Sequence, residues 1–143
     1  MSHIDELEEA LDDFNTAWAN RDLEGLIGQF VPEADLVLIG SQKGEEARGP
    51  EELRRLLEHF FAEPVSYRWE WRSREVYAVG DIGWVVAQGP IVEAAPDAVS
   101  RFEYTVTGVL ERRDGRWLWR LFHGSEPDET HVDWDRIVRP AIA

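Results

Sequence analysis

The chain has 143 residues, 43% of them hydrophobic, with 29 Asp and Glu against 15 Lys and Arg. That is one domain's length, enough to bury roughly 70% of its extended surface without staples. The absence of cysteine removes disulfides, thiol chemistry and Cys-ligated zinc, and a formal net charge of −14 argues against nucleic acid and membrane surfaces as partners.

No apolar run approaches the ~20 residues of a membrane span. The acidic start, residues 1–6, lacks the basic and apolar regions of a signal peptide, so a cytoplasmic location is expected. No internal repeat or linker divides the chain, and the reading is one folded domain, 1–126, followed by a polar tail, 127–143.

The first third reads helical. Ile4, Leu7, Leu11, Phe14 and Trp18 recur at spacings of three and four, one stripe of a helix. Ser2 suits its N-cap. Asn20 and Arg21 break the pattern, and Asp22 can cap a short second helix ending before Pro32. Residues 35–40 form an apolar run that reads as a buried strand, and 41–49 read as loop. A third helix starts at Pro50, with Leu53, Leu56, Leu57, Phe60 and Phe61 as its stripe, and Pro64 ends it.

From Val65 the period becomes two. Tyr67, Trp69 and Trp71 alternate with Arg68, Glu70 and Arg72, a half-exposed strand. Gly80 and Asp81 turn the chain into a strand over 82–92, which Pro90 and the residues 94–97 are expected to end. Residues 102–112 and 116–122 form a hairpin around Asp114 and Gly115. Helices followed by antiparallel strands make the class α+β.

This order of elements resembles the nuclear transport factor 2-like (ketosteroid isomerase-like) superfamily, and within it the SnoaL-like branch. The carriers are the Asn20-Arg21-Asp22-Leu23 junction, the strand at 35–40 followed by Gly44-Glu45 and Gly49-Pro50, and the ending from Asp114-Gly115-Arg116-Trp117 to His123-Gly124-Ser125. The resemblance implies a cone-shaped α+β barrel, three N-terminal helices packed in a curved mixed or antiparallel sheet, with a cavity at the open end. It also implies a homodimer through the outer sheet face. Members include isomerases, cyclases, dehydratases, epoxide hydrolases and non-catalytic association domains, so the residues must choose the function.

Ketosteroid isomerase chemistry needs an Asp base with a Tyr and a protonated Asp as hydrogen-bond donors. Matching the Asp22-Leu23 junction and Phe30 to that pattern puts Phe14 in the tyrosine's place and Leu38 or Ile39 in the base's place. None of these can do the work. His123 is the candidate proton-transfer group, because the alternation of the last strand puts it on one face with Trp117, Trp119, Leu121 and Ser125. Which residue faces it depends on the hairpin register: Val106 for a two-residue turn, Thr105 for a longer one. Asp35 is a weaker candidate, as a carboxylate that orients His123.

The expected pocket is lined by Phe14, Trp18, Trp69, Trp71 and Tyr104, with Ser125 as a polar contact. It would bind a small apolar or aromatic molecule, with cofactor-free isomerisation, dehydration or cyclisation as the matching chemistry. The other reading is a non-catalytic association module, with Arg68, Glu70, Arg72 and Arg74 in one strand and Leu118, Arg120 and Phe122 in the last as its outer face. His59 reads as surface. His131, Asp133 and Asp135 read as solvated tail, and neither a metal nor a cofactor is expected.

Overall fold

A computed structural model describes residues 1–128 and 132–139. Helix α1 (His3–Ala19) begins with a reciprocal capping box. The Ser2 hydroxyl accepts from the Asp5 amide at 3.1 Å, and the Asp5 carboxylate accepts from the Ser2 amide at 3.2 Å. Its buried stripe is Leu7, Leu11, Phe14, Ala17 and Trp18, while Ile4 is exposed. Helix α2 (Leu23–Ile27) is capped by Asp22, whose carboxylate accepts from the Gly25 amide at 3.0 Å.

Strand β1 (Val37–Ile39) pairs antiparallel with β2 (Glu46–Arg48). The segment 41–49 is therefore not all loop. A three-residue strand reading Glu-Ala-Arg carries no β propensity, and its partner alone defines it. Helix α3 (Gly49–Ala62) follows. Its C-terminal end is held by Arg21, whose guanidinium donates to the carbonyls of Phe61 (2.6 Å), Glu63 (2.5 Å) and Val65 (2.8 Å). A cation there meets carbonyls at the negative end of the helix dipole and along the exit from the helix.

The remaining strands are β3 (Ser66–Trp69), β4 (Ser73–Val79), β5 (Ile82–Ala95), β6 (Ala98–Arg113) and β7 (Arg116–Ser125). A short helix α4 (Trp134–Val138) lies in the tail. The seven strands form one mixed sheet in the order β2-β1-β7-β6-β5-β3, with β4 also paired to β5. The β1–β7 pair is parallel and the others are antiparallel. The α+β expectation holds: N-terminal helices pack on a mixed sheet, as in the nuclear transport factor 2-like cone.

One expectation about β5 and one about β4 are corrected. The strand passes through Pro90 and ends at Ala95, because Pro90 sits where β5 changes partner from β4 to β3. The missing N–H of proline is harmless at such a point. Around Glu70–Arg72 the arm formed by β3 and β4 also gains one residue on β5: Trp69 pairs with Ile91, but Ser73 pairs with Gln88. The extra residue turns Arg74 inward, where it meets Asp12 at 2.5 Å and Glu8 at 3.7 Å on α1. Arg74 is thus not part of the outer face.

The inner end of β3 is fixed by a side chain. Asn15 on α1 donates to the Trp69 carbonyl at 2.9 Å and accepts from the Trp69 amide at 2.8 Å. The amide stands in for a neighbouring strand where the sheet edge has none. Phe14 sits at the centre of the core, its ring 5.0–6.3 Å from those of Trp18, Phe30, Trp69, Trp119 and Phe122.

Candidate functional site

The β6–β7 turn is the two-residue Asp114-Gly115 loop, with φ of 52° and 79° and Arg113 opposite Arg116. A two-residue turn alone would set Val106 against His123. The register shifts once, however, within the strand: Leu110 pairs with Trp119 and Val109 with Leu121, leaving Arg120 unpaired. This β-bulge reverses the alternation beyond it. Trp117 and Trp119 point inward, and so do Phe122 and Gly124, whereas Leu121, His123 and Ser125 share the outer side. His123 is opposite Thr107 and Ile39 and is exposed.

The expected inward placement of His123 and Ser125 is therefore corrected, as is the outward placement of Phe122. Asp35 does not orient the imidazole either. It is exposed and pairs with Arg120, which also binds Glu33 and Glu111.

A cavity of about 230 Å³ opens between the helices and the sheet, close to the small end of the roughly 300–1,000 Å³ typical of ligand pockets. Its walls are Trp18, Phe60, Tyr67, Trp69, Phe102 and Phe122, with Leu38 and Ile91 between them. Its mouth is polar: Ser41, Gln42, Glu45, Glu93 and Glu126, with Tyr104. Of the expected lining residues, Trp18, Trp69 and Tyr104 reach the cavity. Phe14 is core, and Trp71 stacks behind Trp69 with the rings 5.5 Å apart and 7° from parallel. Leu38, in the isomerase base's place, faces the cavity without a titratable group.

The mouth was not legible from the strands because a loop, residues 40–45, supplies half of it. That loop is tied to itself and to the end of β7. Glu45 accepts from the Gln42 amide at 2.6 Å, and the Gln42 side chain donates to Glu126 at 2.5 Å. Gly40 permits the fold-back, since a β carbon there would come within 2.8 Å of the Glu45 carboxylate.

Burial pushes the Tyr104 phenol up to about 12; Ser41 opposes the shift, while Glu45 and Glu126 add to it. Tyr67 is also raised, first by burial and then by Glu93 and Glu45. Both phenols stay protonated at neutral pH and are hydrogen-bond donors. The indole N–H groups of Trp18 and Trp69 are buried with no hydrogen-bond partner. Trp18 is instead set edge to face with Phe60, Phe61, Tyr67 and Trp69. Among the described residues, no three His, Cys, Asp or Glu groups converge on a metal position. His131 lies outside the described residues. No described helix is long and apolar enough to cross a membrane.

Comparison with solved structures shows the same fold at low identity. A candidate dehydratase of the nuclear transport factor 2-like family from Streptomyces avermitilis aligns with a TM-score of 0.79 and 17% identity, over 87% of this chain and 96% of that one. A candidate calcium/calmodulin-dependent protein kinase II association domain from Xanthomonas campestris gives 0.76 and 21%, over 91% of each chain. A ketosteroid isomerase-like protein from Erwinia carotovora atroseptica gives 0.71 and 20%, over 89% and 98%. No curated protein matches the sequence. The profile of the SnoaL-like domain matches residues 7–129, and the chain belongs to that family, within the nuclear transport factor 2-like, ketosteroid isomerase-like fold.

Proposed function

We propose that this protein binds a small, flat, largely apolar molecule in the open end of the cone. The observation that carries this reading is the cavity itself: aromatic walls, a polar mouth and a volume of about 230 Å³ in a domain whose interior is otherwise packed with rings. Apolar surface drives such binding, and the few polar groups at the mouth set orientation. Tyr104, protonated and buried, is the donor best placed to meet a carbonyl or hydroxyl. If the bound molecule is turned over without a cofactor, the proton passes through Glu45, Glu93 or Glu126, since no imidazole lines the cavity.

Calorimetric titration with 2-naphthol tests the reading. Saturable binding is expected for the wild type and for His123→Ala. It should be lost in Ser41→Trp, which fills the mouth. Equal binding by the Ser41→Trp chain would remove the pocket from the account.

A second reading concerns assembly, and one observation favours it. Across five strands the outer sheet face carries an uncharged row, Tyr77–Trp84–Val109–Leu121–Val37, in direct register. Tyr77 and Trp84 stack at 5.5 Å and are about 40% exposed. Such a row can meet a second copy of itself across a two-fold axis without opposing like charges. We propose a homodimer through this face, compatible with a ligand-binding cavity on the other side of the sheet.

A further inference from the structure

The charge at the mouth narrows the class of ligand, given the pocket reading above. Glu45, Glu93 and Glu126 all line the cavity, and no Lys, Arg or His does. Several carboxylates elsewhere on this chain are held by guanidinium groups, among them Glu6 by Arg112, Glu24 by Arg54, Glu103 by Arg72, and Glu33 by Arg113 and Arg120, and others are not. Among the described residues the three at the mouth have no such partner. Glu45 and Glu126 accept from uncharged donors on Gln42, and Glu93 faces Tyr67 across the β3–β5 pair. Lys43, in the same loop, is exposed and does not line the cavity.

We propose that the pocket takes an organic cation: a primary or substituted ammonium group carried on a flat aromatic or apolar body, the ammonium at the Glu45, Glu93 and Glu126 mouth and the body among the rings. Three arguments converge on this. Unpaired carboxylates beside a low-dielectric wall keep a strong field, because nearby countercharge does not cancel it. Trp18, Tyr67, Trp69 and Phe60 line the cavity and supply an aromatic wall for the apolar body of such a ligand. The net charge of −14 steers cations toward the protein and anions away. The raised phenols of Tyr67 and Tyr104 agree, since both feel the Glu45 carboxylate in addition to burial.

Three probes share one ring and differ in charge: tryptamine (cation), tryptophol (neutral) and indole-3-acetate (anion). Calorimetry at pH 7 and low salt should rank tryptamine at least tenfold tighter than tryptophol, with indole-3-acetate weakest. In the Glu93→Gln, Glu126→Gln double variant the ratio of tryptamine to tryptophol affinity should fall at least fivefold. Added salt should lower that ratio in the wild type. Equal affinities, or tighter binding of the acid, overturn the cation preference; if Ser41→Trp still abolishes both, the pocket reading survives alone. No binding by any of the three, together with none by 2-naphthol, removes both readings.

Discussion

Tyr104 lies directly over Gly124. A β carbon built on Gly124 would come within 2.1 Å of the Tyr104 hydroxyl and 2.7 Å of its ring. The two residues are on neighbouring strands, both on the inner face, and the phenol fills the space that a side chain at 124 would occupy. The position of the donor at the mouth is therefore set by an absent side chain on the next strand.

Gly124→Ala should displace the phenol, because backbone hydrogen bonds on both sides prevent the strand from giving way. Overpacking of this kind costs about 1–3 kcal/mol. Urea unfolding should show that loss, and 2-naphthol affinity should fall with it. The second substitution Tyr104→Phe should relieve part of the stability cost without restoring affinity. An Ala variant with wild-type affinity would show that Tyr104 does not orient the ligand.

Asn15→Ala strips two backbone partners from Trp69 at once. Leaving a partly buried N–H and C=O unpaired costs about 2 kcal/mol. Asn15→Asp keeps the acceptor for the Trp69 amide but sets a carboxylate against its carbonyl, so it should be destabilised as well. Denaturant midpoints at constant slope are the measurement. A loss confined to Asn15→Ala would mean that the amide-to-carbonyl bond contributes little.

The Tyr104 phenol is displaced to about 12 from an ordinary 10, so its effect on stability lies at alkaline pH. Above pH 10 the unfolded chain has released this proton while the folded chain still holds it. Stability therefore falls as pH rises, by about 1.4 kcal/mol per unit for this group, and the loss levels off above pH 12. Comparing wild type with Tyr104→Phe between pH 9 and 12 isolates the slope. Identical slopes would mean that the phenol titrates normally.

Trp84→Glu places a carboxylate in the middle of the outer row, opposite Val109 and Tyr77. For a homodimer through this face, sedimentation equilibrium should show at least a tenfold weaker association than for the wild type. His123→Ala, at the edge of the same face, should have a smaller effect. A wild type that sediments as a monomer at high concentration would remove the assembly reading.

Much of the fold was legible because the signals were local and repeated. The stripe Leu7, Leu11, Phe14 and Trp18, the caps at Ser2 and Asp22, and the Asp114-Gly115 turn each express their structure within a few residues. The placement of His123 was not legible. It depends on one unpaired residue, Arg120, and a bulge has no propensity of its own. The guanidinium sits there to reach Glu33, Asp35 and Glu111, which come from two distant parts of the chain. Trp18, Trp69 and Tyr104 were found because an apolar residue on an inner face is either core or cavity wall. The acidic mouth was missed because Glu45, Glu93 and Glu126 are 81 residues apart from first to last and line one cavity only through topology.

The three carbonyls gripped by Arg21 have a bearing on how the cavity exchanges its contents. Phe60, on one side of the opening, belongs to a helix whose end is clamped to the α1–α2 junction by a rigid planar fork. The opposite side is the 40–45 loop, whose side chains meet Glu126, just past β7, through Gln42 and Tyr104 on β6 through Ser41. The opening thus has one side clamped through backbone carbonyls and one side held through side chains. Residence time should then vary with loop chemistry while the aromatic walls, and the shape they select, stay where they are.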